Sequence, residues 1–367
     1  MSTTNDAPIS PAPAATHSRR TALAIGGAAA VALVLPRDLA AKRRKKTKTW
    51  RPSTTFGTEG AGEGQLDDPY GVAVSRNGRT ALVADYNNDR ISVWTRSSTA
   101  STTWTNSTTF GGRGSESGQF TAPQGVAVSP DSLTAWVADS ANHRISVWTR
   151  ESSSATTWTP STTFGTEGAG IGNLRYPNAV TASADGLTAW VSDIGNDRIS
   201  VWARDPLTPT TWTNTTTFGS YGSELENFSG PGGIAVSTYG RTAWVADYSN
   251  HRIAIWTRQN SDSSSWSPST CFGSEGADLG NFDGPWGVDV SADGRTAWVA
   301  DHNNHRISIW TRPTSSSAEW TNSGTFGSQG SEGDNFNRPN GVVASADGRT
   351  IWVADRNNNR ISVWTYA

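Results

Sequence analysis

The chain has one cysteine and one methionine in 367 residues, and no lysine beyond residue 48. Cys271 alone closes no disulfide within the chain, and no Cys/His cluster has metal-ligand spacing, so disulfide-scaffold and structural-zinc readings are unsupported. Long helical patterns are absent after residue 50. Of the 30 Lys and Arg, nine lie in the first 49 residues, as do two of the 32 Asp and Glu. That leaves 21 against 30, a net charge near −9 from Trp50 onward. An acidic body without lysine argues against sequence-independent nucleic-acid binding, which needs a basic face. The longest apolar run, Thr21 to Leu35, has 15 residues, short of the roughly 20 needed to span a bilayer.

What is plentiful is glycine, at 37 residues, and tryptophan, at 18, amid many Ser and Thr, which suggests β-strands broken by frequent turns. The first 49 residues read differently, as a disordered Pro/Ala-rich leader. Arg19 and Arg20 precede the run TALAIGGAAAVALVL, and Leu39-Ala40-Ala41 offers small residues for cleavage, a pattern that resembles a twin-arginine export signal. Export to the periplasm, envelope or medium is expected, although the basic arm from Lys42 to Lys48 resists translocation and leaves an uncleaved or cytoplasmic form open.

A repeat dominates the remainder. Trp50, Trp104, Trp158, Trp212, Trp266 and Trp320 are evenly spaced by 54 residues, and so are the series begun by Phe56 and Pro69. DYNNDRISVW, from Asp85, returns with small changes from Asp139, Asp193, Asp247, Asp301 and Asp355. Within the first unit, PYGVAVS, RTALVAD and RISVWTR read as three strands separated by RNG and YNND turns, with WRPSTTF as a fourth. Each is taken as nearly continuously apolar, implying small antiparallel sheets buried on both faces.

PYGVAVS and VADYNNDRISVW, with their copies, resemble the NHL repeat over residues 50–367. The resemblance implies an all-β, six-bladed β-propeller of four-stranded blades, with units beginning at 50, 104, 158, 212, 266 and 320. Ala179 departs from it by replacing the Gly after Pro-x, and the insert from Arg96 to Trp104 implies an extended third-to-fourth-strand loop. The repeat region begins at Trp50 on a fourth strand and ends on a third, so residues 50–56 are expected to complete the last blade.

A residue present in all six units serves a need shared by all six, so Asp85, Asn88, Arg90 and their counterparts are read as turn and inter-blade parts. Function is sought where copies differ. The positions after Pro and after Asp bring Tyr70, Tyr86, Tyr248, Trp286, His302, Asn340 and Arg356 to one face as a candidate partner-binding arc, since Trp, Tyr and Arg dominate recognition hot spots. Four histidines and the lone channel acid Asp289 form no legible metal or catalytic constellation, so no cofactor or metal is expected. The expectation is a non-enzymatic, monomeric binding propeller for a protein, peptide or glycan. Its alternative is a metal-dependent lyase or lactone hydrolase with a site at the propeller axis.

Overall fold

The computed structural model describes residues 48–261 and 263–367; the leader, with its expected export signal, lies outside the described residues. Six four-stranded antiparallel sheets follow one another as the blades of a propeller. In blade 1 the inner strand is Pro69–Val74, followed outward by Thr80–Asp85, Arg90–Thr95 and Thr105–Gly111. Blade 6 is closed as the sequence predicts. Trp50–Phe56 forms its outer strand, pairing antiparallel with Arg360–Tyr366, with Trp50 opposite Tyr366 and Phe56 opposite Ile361. No helix among the described residues is long and apolar enough to cross a membrane.

The blades are held by aromatic packing across each seam. Phe56 stacks on Trp104 at 4.9 Å and tilts against Trp94 at 4.9 Å, and Phe110 repeats the arrangement with Trp158 and Trp148. Such pairs add about 0.5–1.5 kcal/mol each beyond area burial, so their repetition is a large share of inter-blade cohesion. One expectation is corrected. The outer strands are not buried on both faces: Trp50–Phe56 and Thr105–Gly111 expose most alternate residues. They lie at the rim, where blades diverge and no sheet covers the outermost strand.

The recurrent Asp-Asn-Arg set has the structural role read from the sequence. Asp85 is fully buried, and its Oδ1 accepts the Asp67 amide at 2.7 Å while Arg90 Nε donates to Oδ2 at 2.7 Å. Asn88 donates to the same carboxylate and to the Gly60 carbonyl. Arg90 also reaches the carbonyls of Ala61, Gly62 and Gln65. Together they pin the glycine-rich loop that crosses from one blade to the next, a loop whose own amides form little regular ladder. The residue before the Arg is left-handed, and its side chain accepts an amide of the next blade's loop: Asp89 from Ala122, His143 from Tyr176, His251 from Gly284, His305 from Arg338. Asp, Asn and His suit this place because they tolerate positive φ and present an acceptor. His143, His251 and His305 are therefore inter-blade links.

Candidate active site

Inner strands begin, and second strands end, on the same face, so the post-proline and post-aspartate residues of six blades converge there around the axis. Just beneath them the axis is tight. A Cβ on Gly71 would lie 2.5 Å from the Gln124 carbonyl, and one on Gly341 2.9 Å from that of Tyr70. Only Ala179 breaks this ring of glycines. Below it runs a channel of about 230 Å³ lined by Val72, Val126, Val180, Ile234, Val288 and Val342. Asp289 lines this channel and is partly exposed to it. Its carboxylate accepts the amides of Val290 at 2.8 Å and Ala344 at 2.7 Å, and burial pushes its pKa up to about 6.

Above the ring, the seven residues singled out in the sequence form one contiguous cluster. Tyr70 stacks on Tyr86 at 4.7 Å and meets Trp286 edge-on at 6.0 Å. Trp286 in turn contacts Tyr248 at 4.9 Å and His302 at 5.8 Å. The Arg356 guanidinium lies 4.4 Å over the Tyr70 ring and forms a two-pronged ion pair with Asp68, at 2.5 and 2.8 Å. Burial opposes the Arg356 charge, but Asp68, Tyr70 and Tyr86 together outweigh it and raise the pKa. The Tyr70 hydroxyl is pushed up to about 12, mainly by burial, and stays protonated.

His302 is the chemically distinctive member. It is 4% exposed, and its Nδ1 lies 3.2 Å from the Pro339 carbonyl. A carbonyl only accepts, so Nδ1 carries the proton and Nε2 keeps its lone pair. Burial, reinforced by Arg356 and Arg338, lowers the pKa to about 4, so the ring is neutral at pH 7. Beside it is Asn340, fully buried, whose amide interacts with the His302 ring and partly offsets the effect of burial on it, and has no other hydrogen-bond partner. Asn178 on blade 3 is also buried with an unpartnered Oδ1. Unpartnered tryptophan Nε1 atoms recur through the blades, so what sets these two amides apart is their post-proline register at the axis, where they can meet polar groups of a ligand.

Sequence reasoning missed Asp68 and Asn178 as members. Asp68 is separated from Arg356 by 288 residues, so no local pattern joins them; the signal was that its register holds Ala122, Tyr176, Gly230, Gly284 and Arg338 elsewhere. Among the described residues no three His, Cys, Asp or Glu side chains come together as a metal site. His302 is the single imidazole of the cluster, and Asp68 is committed to Arg356. This donor set does not fit a resident metal, and no chemistry is routed through one.

Three stretches, residues 120–148, 282–310 and 336–364, match the NHL repeat profile, in blades 2, 5 and 6. No curated protein matches the chain by sequence. Solved structures share the fold. The periplasmic gluconolactonase PpgL of Pseudomonas aeruginosa has 15% identity and a TM-score of 0.57, over 87% of this chain and 92% of its own. A Bacteroides fragilis protein provisionally assigned as a 6-phosphogluconolactonase has 14% identity and a TM-score of 0.57, over 87% of this chain and 91% of its own. At such identities the likeness establishes the propeller. It also corrects the expectation of a non-enzymatic scaffold, because structural neighbours are gluconolactonase-like propellers, with which the alternative of an axial lactone hydrolase agrees better.

Proposed function

We propose that the protein hydrolyses a small lactone, such as that of a sugar acid, at the mouth of the propeller axis. The observation that carries this reading is the neutral, buried His302 against the Trp286 ring, beside the fully buried Asn340 amide and in the field of the Arg356 charge. Trp286 and Tyr86 offer flat apolar surface to a sugar ring, while Tyr70 is held between Tyr86 and Arg356 and supports them. Asn340 and Asn178 offer donors and acceptors to its hydroxyls, and Arg356 is a fixed positive charge for the carbonyl oxygen as it becomes an oxyanion. His302 Nε2 takes a proton from water as the water oxygen bonds to the carbonyl carbon. When the tetrahedral centre collapses, the ring C–O bond breaks and the imidazolium returns the proton to the departing oxygen, leaving the hydroxy acid. A pKa near 4 makes His302 a weak base but keeps it free of protons at neutral pH, and makes its protonated form a strong acid toward that leaving group.

The test is a panel of aldonolactones, with and without a 6-phosphate, followed by acid release in weak buffer. Wild type should exceed spontaneous hydrolysis, His302→Gln should lose roughly 10²–10⁴-fold in kcat, and Arg356→Met should lose a similar factor. The acid limb of kcat/KM should fall near pH 4, not near the ordinary histidine value. Wild-type rates equal to buffer, or an unchanged His302→Gln variant, would end the proposal. Export through the twin-arginine-like leader belongs to the same reading, supported by a periplasmic gluconolactonase of like fold. N-terminal sequencing of secreted protein should find the chain beginning near Lys42; an intact Met1 on all of it would refute this.

A further inference from the structure

On the opposite face, five of the six seams between blades are closed by one device. At the end of the third strand an arginine, Arg96, Arg150, Arg204, Arg258 or Arg312, turns back over the seam. Its Nε donates to a carbonyl in the inner hairpin of its own blade: Gly78, Ser132, Gly186, Gly240 or Gly294. The guanidinium lies 4.8–5.5 Å over the tryptophan that precedes the outer strand of that blade. In three seams it also covers a second-strand tryptophan of the preceding blade: Arg96 over Trp352, Arg258 over Trp190, Arg312 over Trp244. Hairpin carboxylates complete the setting, with Asp131 facing Arg150 and Asp293 facing Arg312.

The sixth seam has every part of this device except the arginine. In the register 54 residues after Arg312 stands Tyr366. Trp50 meets Trp298 edge-on at 6.4 Å, as Trp104 meets Trp352 at 6.4 Å. Tyr366 leans on Trp50 at 5.5 Å, and the Gly348 carbonyl, the counterpart of the five acceptors, takes no hydrogen bond among the described residues. Trp50, Trp298, Phe326, Asp293 and Asp347, together with Lys48, line an open groove of about 860 Å³.

We infer that this groove binds the guanidinium of an arginine side chain presented by a peptide segment of another protein. The five filled seams specify the ligand as a flat cation that stacks on indole and donates to a carbonyl, and in three of them, at Arg150, Arg204 and Arg312, it also faces a hairpin carboxylate. Asp293 and Asp347 outnumber Lys48 in the lining, and with the net charge near −9 from Trp50 onward they favour that cation. A lysine ammonium would meet the charge but not the flat stacking.

Isothermal titration of the full-length protein with acetyl-Gly-Arg-Gly-amide tests the site, against the isosteric, uncharged citrulline peptide. Saturable binding of the arginine peptide is expected, with the citrulline peptide at least ~10-fold weaker. Tyr366→Arg, which supplies the sixth arginine in cis, should weaken peptide binding at least ~10-fold. Absence of saturation by about 10 mM peptide, equal binding of citrulline, or unchanged binding by Tyr366→Arg overturns the assignment. Should Tyr366→Arg not fold, Asp347→Asn serves in its place: a roughly 3-fold or greater loss supports the site, and no loss overturns it.

Discussion

Asp139 shows what a buried carboxylate requires of its neighbours. It is fully buried, and its charge is met by Arg144 Nε at 2.7 Å, by Asn142 and by the Thr121 amide. Arg144→Ala would leave that charge without its cation and strip three loop carbonyls of a donor, so a loss of about 3–5 kcal/mol in urea unfolding is expected. Arg113, mostly exposed and 4.0 Å from Asp89, is the control: Arg113→Ala should change stability by less than about 0.5 kcal/mol. Equal losses would remove the structural role assigned to the repeated Arg. The axis supplies a second case, in pH. His302 has a folded pKa near 4 against 6.5 unfolded, so between those values the unfolded chain holds the extra proton and stability falls as pH is lowered. Asp289 has a folded pKa near 6 against 3.8, so between those values the folded chain holds it and stability rises as pH is lowered. Each spans about 3 kcal/mol, with opposite sign in nearly one window, so in wild type they largely cancel. Relative to wild type, Asp289→Ala should therefore lose stability on going from pH 6.5 to 4, and His302→Gln should gain it. Parallel curves for all three proteins would show that neither group is shifted as stated. The seven residues of the cluster could be picked out because they vary within fixed frames. Their burial could not, since it depends on blades far apart in sequence meeting at one axis.

At the scale of the strand, the inner edges of the blades set how closely six sheets can approach. Gly287 has an ordinary backbone conformation, so its requirement is spatial: a Cβ there would collide with the Asn340 carbonyl on the next inner strand. Gly287→Ala must spread the ring or bend the bulge between Pro285 and Val288, costing about 1–3 kcal/mol. Ala179→Gly, at the one register where a side chain is already accommodated, should cost less than about 1 kcal/mol. Denaturant midpoints decide, and a ring that tolerates Gly287→Ala as well would mean the axis is looser than drawn. These elements were legible because 54-residue spacing aligned PYGVAVS with five copies and RISVWTR with five more. The outer strands were read less well. WRPSTTF holds aromatics at its ends, which suggested two buried faces, whereas its middle residues face solvent because the rim has no further sheet. Tyr366 passed unnoticed for another reason: its significance lies in the arginine the other five units share at that register.

For the whole molecule the decisive contact is the one that joins its two ends. Trp50–Phe56 is the only strand of blade 6 drawn from the beginning of the described chain, and it covers the edge of Arg360–Tyr366 while Trp50 packs against Trp298 and Phe326. A ring of blades is cooperative because each blade is buried by two neighbours, so losing one outer strand weakens a blade, a seam and the closure together. Deleting residues 1–57 removes that strand, opens a flat sheet edge to other chains, and should lower the melting temperature by roughly 10 °C while promoting aggregation. Deleting residues 1–45 retains Thr49, whose amide and carbonyl both pair with Ala367, and should shift the transition by no more than about 1 °C. Differential scanning calorimetry on both truncations, with light scattering to register association, separates the outcomes. If the two melt together, the ring is held by its other five seams and the terminal strand only decorates it; if only the longer deletion melts early, closure through Trp50–Phe56 is what keeps six blades around one axis, and with them the positions of Trp286, His302 and Arg356.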